Sequence, residues 1–144
     1  MASSGRIATT WNSGVLKYIL GGTSMPAVPV GMYIGLDSTT ATADNGSFVE
    51  LSGGSYARAT IHATNSDAAW SAVTSDATGT WRTNAGTITF PTATGNWTAA
   101  TGFRMWDAST NGTANYWGTF AGATTVGNGA TASFAIGAIT ITES

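Results

Sequence analysis

Apolar spacing of the helical kind occurs once in this chain. Every other apolar run is short and closed by glycine, proline or a cluster of threonine, serine and asparagine. Brief runs alternating with turn residues confine the fold to short strands. The one helical stretch is Val15 to Leu20, where Trp11, Val15, Leu16, Ile19 and Leu20 fall on one face. Asn12 or Ser13 can cap its start, and Gly21-Gly22 can end it. So short a helix is not stable alone, and it is expected to dock on a sheet or on a neighbouring copy.

After Pro26 and Pro29 the character turns to strand. Val30 to Leu36 (VGMYIGL) reads as the first, and Phe48–Leu51 and Tyr56–Ala63 flank SGGS, which reads as a hairpin connection. Thr87–Phe90 is expected to stop at Pro91, which cannot donate to a ladder. Gly102–Asp107, Tyr116–Ala121 and a long run from Thr131 to Thr142, bent at Gly137, complete the set. Residues 64–85 form a long polar stretch without clear strands, with Trp70 and Trp81 embedded, and are expected to pack on a partner. The predicted fold is all-β, an antiparallel β-sandwich with a short N-terminal helix. Residues 1–29 form an arm and helix, and residues 30–144 a single β-sandwich domain. No fixed-period repeat is present.

At 144 residues the chain has room for one domain with a real core. Only 8% of residues are charged and the net charge is −2, against about 25% charged in an ordinary globular protein. The basic excess that neutralises phosphates is missing, so nucleic acid is not an expected partner. With no cysteine there is neither a disulfide framework nor a thiolate metal site. No apolar run is long enough to span a membrane and no signal-peptide core is present, so the chain reads as cytoplasmic at synthesis. A surface this poor in charge invites self-association, which suits a chain that ends up packed in an assembly.

Residues that could carry chemistry are few. His62 is the only histidine and sits in a strand without an evident orienting partner. The carboxylates Asp37, Asp44, Glu50, Asp67, Asp76, Asp107 and Glu143 follow no calcium-loop spacing, and Asp37 and Asp107 suit turn and capping duty. There is no Gly-x-Ser-x-Gly elbow, and Lys17, the sole lysine, follows no phosphate-cradling glycine loop. The expectation is therefore no catalytic residue, no cofactor and no metal. Of the six tryptophans, Trp81, Trp97, Trp106 and Trp117 read first as filler of the core or a subunit interface, and exposed ones second as stacking platforms for a sugar. Arg58 and Arg104 lie within strands, and each is expected to pair with a carboxylate across strands or subunits.

The order of motifs carries a resemblance. A short helix ending in Gly-Gly precedes VPVGMYIGLDS, then ELSGGSYARATI, ITFPTATGNWTAATGFRMWDAST and GATASFAIGAITI. From about Trp11 to Thr142 this resembles a group of small tailed-bacteriophage virion proteins, the capsid decoration (cement) and tail-fibre-like β-sandwich proteins. SGGSYAR (Ser52–Arg58) and the run from Phe90 to Asp107 are its most specific pieces. Residues 64–85 are longer and richer in tryptophan than that group's pattern.

The resemblance implies a β-sandwich that assembles as a homotrimer and has no enzymatic activity. A chain that starts at Met1 with its own lead-in reads as complete, too short for attachment segment, shaft and tip together. It is thus expected to be a decoration protein on the outer surface of the virion head, made in the bacterial cytoplasm and bound to the major capsid protein. The alternative is a tail-fibre or tailspike tip binding a host receptor, or a carbohydrate-binding β-sandwich, with a host surface glycan as ligand. Interface candidates are Ile7 and Trp11 of the arm, Leu16 of the helix, and Trp70 and Trp81 of the polar stretch.

Overall fold

The computed structural model describes residues 3–7, 9–22, 27–39, 48–77 and 79–143. In chain order the elements are β1 (Ser3–Ile7), α1 (Thr9–Ile19), β2 (Met32–Asp37), β3 (Ala59–His62), β4 (Thr74–Asp76), β5 (Gly79–Thr83), β6 (Ile88–Thr92), β7 (Ala100–Trp106), β8 (Ala114–Thr124), β9 (Thr131–Phe134) and β10 (Ile139–Glu143). A single 3-10 turn, Asp67–Ala69, lies between β3 and β4. The class is all-β, as the alternation of short runs and turns requires.

Eight strands form one sheet in the order β3-β2-β7-β8-β1-β10-β5-β4, and β6 and β9 form a second, two-stranded sheet. The sheets meet through aromatic side chains. Phe134 of β9 is fully buried and packs against Phe103 of β7 at 6.1 Å, Phe120 of β8 at 6.0 Å and Phe90 of β6 at 6.2 Å between ring centres. Alternation along β2 and β7 sends Ile34, Leu36, Phe103 and Met105 to that same core. Each fully buried side chain of this size contributes about 1.5–3 kcal/mol.

The segment 1–29 contributes a strand of its own to this sheet. β1 lies between β8, to which it is antiparallel, and β10, to which it is parallel. SSGRI has none of the β-branched alternation that announces a strand. Two neighbours with open backbone groups supply the pairing instead.

The helix begins at Thr9, earlier than its apolar spacing suggests, so Asn12 and Ser13 lie inside it rather than at its cap. Its end is as read: Gly22 N–H donates to Lys17 O at 2.6 Å and Gly21 N–H to Tyr18 O at 3.2 Å, the paired closure of a Schellman motif. Leu16 and Leu20 are 58% and 80% exposed, and Tyr18 and Ile19 are exposed as well. These side chains do not dock on the chain's own sheet.

Three local expectations are corrected. SGGS is not a hairpin turn, because the residues on both sides pair with the same edge of β2: Glu50 bridges Asp37, and β3 pairs with Met32–Ile34. One edge strand is interrupted by a loop, and pairing with β2 prevails over closing a hairpin. Pro91 lies within β6, at the point where the pairing with β9 slips register. Residues 64–85 fold back as the 3-10 turn, β4 and β5, with β5 antiparallel to β10. The polar composition of this stretch reflects its place at a sheet edge. The bend at Gly137 is met: at φ +74 it turns the chain out of β9 in the small sheet and into β10 in the large one.

The interrupting loop is pinned by Gly54. Its carbonyl accepts from Trp97 Nε1 at 2.9 Å and from Thr94 N at 3.0 Å. Its φ is +53, and a Cβ there would stand 2.9 Å from Gly95 O. Gly54→Ala is therefore expected to cost about 1–3 kcal/mol in chemical denaturation, from backbone strain together with the close contact.

Candidate functional site

The outer face of β2 and β7 gathers two arginines and two carboxylates in a compact polar ladder. Arg104 and Asp37, on facing strands, form a two-pronged pair, Nε to Oδ2 at 2.9 Å and Nη2 to Oδ1 at 2.5 Å. Their side chains are 10% and 2% exposed. Arg58 grips both oxygens of Glu50 at 2.8 Å, and its Nη1 donates to Ala108 O and Asn111 O, tying down the turn after β7. The Trp106 ring takes both guanidinium groups, at 3.7 Å from Arg58 and 4.5 Å from Arg104, and the Phe48 ring lies 4.3 Å from Arg104. Tyr56 completes the group: its hydroxyl accepts from Leu36 N at 2.7 Å and donates to Glu50 Oε1 at 3.2 Å. Burial pushes that hydroxyl well above the usual phenol range, so it stays a donor. The expected arginine–carboxylate pairs are both formed within the chain. Both arginines are held by protein acceptors, so the ladder is a brace, and the buried Trp106 Nε1 has no hydrogen-bond partner among the described residues.

The open site is elsewhere. The inner face of the large sheet extends beyond the cover of β6 and β9, where Met32 of β2, Tyr116 of β8 and Ile141 of β10 continue the core rows. Trp70 and Val73, from the chain leading into β4, and Thr80, Trp81 and Arg82 of β5 complete a cleft of about 230 Å³. Trp70 is held there by a bridge to Asn84, and Trp81 by pairing with Thr74 and Thr142. The polar part is Arg82. Its Nε donates to Ser71 O at 2.8 Å, Nη1 to Asp67 Oδ1 at 2.6 Å and Nη2 to Asp67 O at 3.4 Å. Asp67 is 87% exposed. The hydrogen bond and charge of Arg82 hold its carboxyl below the usual carboxylate range.

Of the five interface candidates, Trp70 packs against the core side of the cleft, and Trp81 borders it on β5, where pairing with Thr142 sends its side chain to the face opposite Ile141 and Arg82. Leu16 stands apart on α1 with its side chain exposed. Ile7 and Trp11 belong to β1 and α1, and their side chains lie outside the described residues. Among the other tryptophans, Trp97 is core and Trp106 belongs to the ladder. Met32, Tyr116, Ile141 and the Asp67–Arg82 pair escaped the sequence reading. Strand parity could have flagged Met32, two residues before buried Ile34. Nothing in spacing links Asp67 to Arg82. His62 ends β3, half-buried and opposite Met32. Among the described residues no three His, Asp or Glu side chains gather to hold a metal, and no helix is long and apolar enough to cross a membrane.

The ladder and the aromatic cleft thus sit on an all-β body of two sheets. The chain matches the family model described as podophage GP4 fiber I protein gp80 over residues 6–142. It belongs to that family, and is thus a structural protein of a phage virion. No curated protein matches the sequence.

Proposed function

We propose that the protein is a fibre component of a phage virion that meets the host cell surface through the cleft beside Trp70. The observation that carries this reading is the cleft itself: Trp70, Tyr116, Met32, Ile141 and Arg82 left open on a body whose Arg58–Glu50 and Arg104–Asp37 pairs are locked in the ladder. The protein acts by binding, without chemistry on its ligand. Homotrimeric assembly fits the role, since three weak contacts on one fibre gain from high effective concentration. A decoration protein on the head, bound to the major capsid protein, would share the low charge but leave the cleft without a task. The fibre therefore comes first, in keeping with the family.

Two measurements test the proposal. Antibody-gold labelling of purified virions is expected to mark fibres at low copy number, and antibody against the protein is expected to block adsorption to cells. Dense labelling across the head with unimpaired adsorption would return the protein to decoration.

A further inference from the structure

We propose that the turn between β7 and β8 is a site of self-modification, where Asn111 loses its side-chain amide as ammonia and becomes an isoaspartyl residue paired with Arg58. An asparagine followed by glycine is open to this chemistry, because no side chain shields the next backbone nitrogen from the asparagine carbonyl. The chain has three such pairs, beginning at Asn45, Asn111 and Asn128. Asn45 lies outside the described residues, and the other two pairs are exposed turns. Their surroundings are opposite.

At Asn128 the nucleophile is tied up, since Gly129 N–H donates to Ala93 O at 2.7 Å. Gly112 N–H meets no acceptor among the described residues. The oxygen of the same peptide group, Asn111 O, accepts from Arg58 Nη1 at 2.7 Å. When that N–H is lost, nitrogen and oxygen share the negative charge, so a guanidinium at the oxygen stabilises the attacking anion. The turn also requires this pair of residues. Gly112 has φ +76, and a Cβ there would collide with Asp107 Oδ1 and Ala108. Asn111 has φ 54, a left-handed conformation that asparagine adopts more readily than most residues.

The steps balance with water alone. Hydroxide takes the Gly112 N–H proton, the nitrogen bonds to Asn111 Cγ, and Nδ2 leaves as ammonia with a proton from water. Water then adds to the main-chain carbonyl carbon of Asn111 in the cyclic imide and breaks its bond to the Gly112 nitrogen. The chain now runs through Cγ, and the old main-chain carbonyl is a free carboxylate. Arg58 polarises that carbonyl towards water, which favours the isoaspartyl over the aspartyl product. The carboxylate forms where Nη1 already donates, and it adds a negative charge to a chain of net charge −2.

The test is slow incubation of the purified full chain in mildly alkaline buffer, native and in urea. Peptide mapping by mass spectrometry locates the change of amide to acid, and an isoaspartate-specific methyltransferase identifies the product. In the native protein Asn111 is expected to convert roughly tenfold faster than Asn128, with the isoaspartyl form dominant. In urea, where Arg58 leaves and Gly129 N–H is released, the two rates should draw level. Arg58→Lys keeps the charge but loses the planar fork, and is expected to slow Asn111 and raise its share of aspartyl product while Asn128 is unchanged. A native Asn111 that stays intact, a ratio of rates that is the same in urea, or a mainly aspartyl product would overturn the proposal. So would a folded Arg58→Lys variant with the wild-type rate and product. If that variant does not fold, the comparison of native with urea decides.

Discussion

Arg104→Ala is expected to lower stability by about 3–5 kcal/mol, because it strands the Asp37 carboxylate in a site where only 2% of that side chain meets water. In a domain of this size that is a fall in Tm of about 10–20 °C, read by calorimetry or urea denaturation. The two partners are not equivalent. Burial pushes the Asp37 carboxyl above its ordinary value, and the hydrogen bonds and charge of Arg104 pull it only part of the way back. A carboxyl raised on folding adds stability that is fully present below its unfolded value near 3.9 and is lost as pH rises through the folded value. Acid therefore does not unfold the protein through this group, and Asp37→Asn is expected to cost less than Arg104→Ala. Arg104→Met combined with Asp37→Leu should recover most of the loss. If the double variant is no more stable than Arg104→Ala, the contact with Trp106 and Phe48, rather than charge, is what Arg104 supplies.

Removal of residues 1–7 is expected to have a still larger effect. β1 fills the gap between β8 and β10, so its loss leaves both with a row of unpaired backbone groups on facing edges. Each hydrogen bond in such a ladder contributes about 0.5–1.5 kcal/mol net, and β1 has one on both sides. Bared edges also template association between chains. The truncated protein should lose its near-ultraviolet circular dichroism and collect in aggregates on gel filtration. A monomeric truncated chain with an intact cooperative transition would show that β8 and β10 close the gap themselves.

Legibility of the fold tracked how local each signal was. Strands whose partners are near in sequence or whose residues alternate, such as β2 and β7, were readable from Val30–Leu36 and Gly102–Asp107. β1, β4 and β5 were not, because Ser, Gly, Thr and Asp carry little strand preference and their pairing is imposed by distant edges. SGGS failed for the same reason: a glycine pair is the mark of a hairpin only if nothing better offers the flanking residues a ladder, and β2 did. The site was half legible. Two tryptophans in a polar stretch were visibly out of place, but that Trp70 meets Tyr116 and Ile141 depends on sheet order, which no spacing along the chain encodes. The ion pair at the cleft and the stacking of Arg58 and Arg104 on Trp106 belong to the same tertiary level.

The central position of β1 also makes the large sheet depend on remote contacts. Gly5 pairs with Gly118 and with Ile141, both far along the chain from it. Without β1 the rest of the sheet is two separate groups, β3-β2-β7-β8 and β10-β5-β4. Contacts between such remote segments make folding slow. Before it is paired, a five-residue strand of serine, glycine, arginine and isoleucine offers little for a neighbouring chain to seize.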